Sequence, residues 1–170
     1  MSETLEPALP DHLDEQAERL MHRLCDAGLT IATAESCTGG MLAALLTDIE
    51  GAGRGFDRGF VAYTKDAKTG LLGIDRDLLD RNEAVSQVVA TAMAEGALSR
   101  SEAHIAIAVT GFAGPAGPDC EEGLVHFALA RHGKPTMHRE EHFGAIGRGA
   151  VRVKSLKAML EMLEQALEQA

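Results

Sequence analysis

The chain has 170 residues, 45% of them apolar, and a formal net charge of −10. That length suits one domain with a sizeable core, and the apolar share argues against disorder. The acidic balance disfavours non-specific nucleic-acid binding, and no apolar run is long enough to span a membrane. Cys25, Cys37 and Cys120 are too scattered for a disulfide framework or a structural zinc knuckle.

Residues 1–10 hold two prolines and two glutamates and read as a loose tail, without the apolar core of a signal peptide. A cytoplasmic location is the expectation. Residues 11–170 read as one domain. Leu13, Ala17, Leu20, Leu24 and Ala27 draw a single apolar stripe at helical spacing, closed by Gly28. Leu29–Thr33 reads as a strand, and a helix is expected over about Gly40–Asp48. Between them lies Ala34-Glu35-Ser36-Cys37-Thr38-Gly39-Gly40, a tight turn at a helix N-terminus. Free amides and the helix dipole at such a turn suit an anion. The plain alternative is a capped helix start, with Ser36 or Thr38 as the cap.

After a glycine-rich loop at Gly51–Gly55, Phe56–Thr64 reads as a strand. It leads into a helix that brings Tyr63 and Lys68 to a strand-to-helix corner. A short turn or helix follows at Asp75–Asp80. Ser86 should cap the next helix, with Val85, Val88, Val89, Ala92, Met93 and Gly96 inward. Ile105–Val109 is apolar at every position, as in a strand covered on both faces. It runs into the Gly- and Pro-rich loop Thr110–Pro118, the usual place for a ligand in an α/β sheet. Gly123–Ala130 and Thr136–Phe143 read as a hairpin, which makes the sheet mixed. The loop Gly144–Gly149 leads to a long final helix marked by Val153, Leu156, Leu160, Leu163 and Leu167. The fold expected is a three-layer α/β/α domain around a mixed central sheet.

Ser36, Tyr63 and Lys68 are the candidate catalytic set. A serine needs a base to become a nucleophile, and a buried lysine can serve as one. Amides at Cys37, Thr38 and Gly39 would hold an oxyanion. Thr110, Gly111 and Gly114 belong to the candidate binding loop. Arg148 and Arg152, one helical turn apart, could hold a phosphate or carboxylate. Against this stand plainer roles: Tyr63 packing, Lys68 solvated, both arginines on a wet helix face. Cys37 is a rival nucleophile if a helix N-terminus stabilises its thiolate and His104 or His126 acts as base. The seven histidines form no recognised metal motif, and His138 and His142 alternate along a strand as surface residues do.

These motifs, taken in order, resemble the CinA C-terminal-domain family, the bacterial nicotinamide-nucleotide amidases. The resemblance is carried by Ala34–Gly40, Gly59-Phe60-Val61-Ala62-Tyr63-Thr64-Lys65-Asp66-Ala67-Lys68, Ala84-Val85-Ser86, Val109–Pro115, Gly123-Leu124-Val125 and Phe143–Arg152. It implies a stand-alone amidase that converts nicotinamide mononucleotide to nicotinic acid mononucleotide and ammonia. Ser36 would be the nucleophile and Lys68 and Tyr63 its activators. It implies no metal, no organic cofactor and a homodimer, while charge and hydropathy point to no nucleic-acid or membrane partner. Three positions depart from the family pattern: Lys65 replaces an asparagine, the 115–123 loop is short, and Gly147 replaces an aspartate. A non-catalytic nucleotide-binding regulatory module is the alternative function.

Overall fold

The computed structural model describes residues 9–168, apart from the side chain of residue 11. Most of the expected tail, residues 1–8, lies outside them. Leu9 does not behave as tail, because it is buried against the core. The elements are α1 (Asp11–Asp26), β1 (Ile31–Glu35), α2 (Met41–Thr47), β2 (Phe56–Val61), α3 (Lys65–Leu72), α4 (Arg76–Arg81), α5 (Gln87–Ser99), β3 (Ile105–Gly111), β4 (Leu124–Arg131), β5 (Met137–His142) and α6 (Arg148–Glu168). Ser86 caps α5 as expected, accepting from the Val89 amide. Val88 does not face inward; it is 45% exposed. Ala90, Ala94, Ala97 and Leu98 complete the buried face instead.

The five strands form one sheet in the order β2-β1-β3-β4-β5. β1 runs parallel to β2 and β3, while β3–β4 and β4–β5 are antiparallel. The sheet is therefore mixed, with helices on both faces. Strand alternation separates large residues from small ones. Ile31, Ile105, Ile107, Val109, Val125, Phe127 and Leu129 pack with α1, α2 and α6. Ala32, Ala34, Ala106, Ala108, Ala128 and Ala130 pack with α3, α4 and α5. An alanine surface lets a helix lie close to the sheet, which suits the alanine-rich α5.

β1 begins two residues later than expected. The Leu29 amide closes α1 by bonding the Leu24 carbonyl, and Thr30 is held by His104. Their amides are therefore engaged outside the sheet, while the Thr30 carbonyl accepts the first bond from β3, from the Ile105 amide. The chain leaves β1 through α2 on one face to reach β2, then crosses by α3–α5 on the other face to reach β3. The strand order reverses at β1, and ligands of open α/β sheets lie at such a switch point. Among the described residues no helix is long and apolar enough to cross a membrane.

Candidate active site

Glu35 and Ser36 are neighbours whose side chains serve opposite faces of the sheet. Glu35 is buried and reaches α2. Its carboxylate accepts from the Thr38 hydroxyl at 2.6 Å and from the Gly40, Leu42 and Ala43 amides at 3.2, 3.1 and 2.8 Å. The expected anion site at this helix start is thus already filled by the protein's own carboxylate. Neither Ser36 nor Thr38 caps the helix; Gly40 is the cap residue and Glu35 satisfies the amides. Sequence reasoning missed Glu35. The available signal was an acidic residue directly before a glycine-rich helix start.

Ser36 is 7% exposed, and its amide bonds the Val109 carbonyl at the switch point. Lys68 approaches from the first turn of α3, a helix capped by the Thr64 hydroxyl. Lys68 Nζ donates to Ser36 Oγ at 3.3 Å and to the Tyr63 carbonyl at 3.0 Å. Only 2% of Lys68 is exposed. Burial holds its ammonium group below the ordinary lysine range, because desolvation disfavours the charged form. Lys65, the extra lysine, pairs with Asp80 instead and does not compete for Ser36.

Tyr63 meets Lys68 through its main-chain carbonyl rather than its ring. The ring is 68% exposed and lines the pocket mouth beside Cys37. The other lining residues are Gly111, Phe112, Ala113, Gly114, Pro115 and Arg148. Gly114 packs against Arg148: a Cβ there would lie 2.6 Å from Nη2, so the exposed Arg148 side chain would have to shift. Gly147, at φ +91° before α6, holds a backbone conformation that an aspartate adopts less readily.

Several expected binding groups are engaged within the protein. The Thr110 hydroxyl donates to the Ala84 carbonyl at 2.8 Å and anchors the approach to α5. The Gly39 amide donates to the Ser36 carbonyl, which takes it out of the expected oxyanion set. Arg152 Nε donates to the Cys37 carbonyl at 2.8 Å, so Arg152 braces the turn while Arg148 faces the pocket. Burial pushes the Cys37 thiol up to about 12, the reverse of an activated thiolate. His104 bonds Thr30 and His126 bonds His138, so neither contacts Cys37 as a base.

A mixed α/β sheet with a buried serine–lysine pair at its switch point defines the class. The family model described as the CinA C-terminal domain matches residues 13–167, and the chain belongs to that family. It is 43% identical over 157 residues to a CinA-like protein of Mycolicibacterium vanbaalenii, an alignment covering 91% of this chain and 36% of that protein. The chain therefore spans about a third of the length of that curated relative. The crystal structure of competence/damage inducible protein CihA from Agrobacterium tumefaciens superposes with a TM-score of 0.90 at 43% identity, covering 99% of each chain. A CinA superfamily protein from Escherichia coli gives 0.85 at 32% identity, covering 97% of this chain and 99% of that one.

Proposed function

We propose that the chain hydrolyses the carboxamide of nicotinamide mononucleotide to nicotinic acid mononucleotide and ammonia, with Ser36 as nucleophile and Lys68 as base. The observation that carries this reading is the buried Lys68 Nζ, 3.3 Å from Ser36 Oγ. A lysine with its pKa lowered by burial has a neutral fraction that can accept a proton. One N–H rests on the Tyr63 carbonyl, and the lone pair is left to Ser36.

In this reading Ser36 Oγ bonds the carboxamide carbon as its proton passes to Lys68. The Cys37 and Thr38 amides stabilise the oxyanion. Lys68 then protonates the departing nitrogen, releasing ammonia and leaving an ester on Ser36. Water gives a proton to Lys68 and attacks the ester, and Lys68 returns that proton to Ser36 Oγ as the acid leaves. Arg148, on the pocket lining, would hold the phosphate, and the exposed Tyr63 ring would cover the cationic pyridinium face. The homodimer implied by the resemblance belongs to the same proposal.

The test is incubation of the protein with nicotinamide mononucleotide while ammonia and the acid product are measured together. Equal amounts of both are expected. Saturable binding without either product would favour the regulatory module.

A further inference from the structure

A second cluster of side chains lies on the β4–β5 ribbon, and none of its members lines the Cys37–Arg148 pocket. His126 stands directly across from Glu140 in the antiparallel register, and His138 stands across from Ala128. In β5, His138, Glu140 and His142 share one face because side chains alternate along a strand. The small Ala128 leaves room for the His138 ring beside His126. The two rings stack with centroids 5.3 Å apart.

We propose that His126, His138 and Glu140 bind one divalent transition-metal ion of the zinc type, joining edge strand β5 to β4. Three observations carry the assignment. First, the donor atoms converge. His126 Nδ1 is 3.0 Å from His138 Nε2 and 3.6 Å from Glu140 Oε2, and all three ligand atoms lie within 4.8 Å of one another. Zinc bonded to nitrogen and oxygen at about 2.0–2.1 Å in a tetrahedron sets its ligands roughly 3.3 Å apart.

Second, the carboxylate is oriented from behind. Its other oxygen, Oε1, is 2.8 Å from His142 Nε2, and His142 Nδ1 is 2.6 Å from Glu121 Oε1. Such outer hydrogen bonds hold metal-binding groups in position. Third, His126 is only 6% exposed, so its ring is fixed rather than solvated. Two imidazoles and one carboxylate give a donor set typical of zinc and leave a fourth position for water. This inference does not depend on the amide chemistry.

The experiment is calorimetric titration of the EDTA-stripped full chain with zinc, with cobalt absorption as a second readout. Expected are one zinc per chain, the visible bands of tetrahedral cobalt, and higher thermal stability with zinc. His138→Ala and Glu140→Gln should each weaken zinc binding about tenfold or more and remove the cobalt bands. Both positions are on an edge strand and outside the core, so the variants should fold. His22→Gln, at an exposed histidine of α1, should bind as wild type does. Absence of saturable binding, or binding that survives both His138→Ala and Glu140→Gln, would overturn the proposal.

Discussion

Arg152 Nε and the Cys37 carbonyl, 115 residues apart in sequence, meet at 2.8 Å. That bond fixes the plane of the Cys37–Thr38 peptide. In a trans peptide the N–H points opposite to the C=O, so Arg152 aims the Thr38 amide away from itself. Arg152 is thus a positioning residue for the proposed oxyanion site. Arg152→Ala should lower kcat about 10–100-fold with a smaller change in KM. An increase confined to KM would instead mean that Arg152 binds substrate directly.

Lys68 carries a stability cost along with its chemistry. Its folded-state pKa lies below the unfolded value of 10.5, so the unfolded chain binds more protons between the two values. Stability linked to Lys68 should therefore be full above pH 10.5 and fall as pH drops towards the folded value. Lys68→Met should lose activity, remain at least as stable as wild type at neutral pH, and lack this alkaline rise in stability. Chemical denaturation at several pH values reads all three. For wild type, kcat/KM should rise with pH as Lys68 becomes neutral.

Glu35 holds the turn from beneath. Glu35→Gln keeps the shape but removes one acceptor oxygen and the charge, leaving buried donors unmatched. A loss of about 3 kcal/mol in unfolding free energy is expected, with activity falling because Ser36 follows Glu35 directly. Denaturant unfolding checks the first effect and ammonia release the second.

Cys37 should be dispensable as a nucleophile. Burial pushes its thiol up to about 12, and the residue is 5% exposed. Cys37→Ser should retain activity, and a thiol reagent at neutral pH should label the exposed Cys120 first without inactivation. Peptide mapping alongside the activity assay separates the two sites.

Much of this arrangement was legible in the sequence because local chemistry and tertiary structure agree. A β-branched run followed by Ser and paired glycines reads as strand, turn and helix, and Ile105–Val109 reads as a doubly covered strand. Glu35 was overlooked despite its place before the glycine turn, because a carboxylate ordinarily signals surface and its burial depends on helix amides that close around it only in the fold. The Tyr63 contact was hidden for another reason: a carbonyl contribution has no residue signature. The Leu29–Thr30 boundary was missed because the Leu24 carbonyl and His104 claim the amides of those residues. His126 and His138 lie twelve residues apart on paired strands, a proximity that strand register creates and linear spacing conceals.

Ser36, activated by Lys68, is the proposed nucleophile of amide hydrolysis. The most direct measurement is ammonia release from nicotinamide mononucleotide by wild type, Ser36→Ala and Lys68→Met side by side, with folding of each verified by circular dichroism. Release by wild type is expected, with both variants down by about 10³-fold or more. Wild-type rates from folded Ser36→Ala would contradict it.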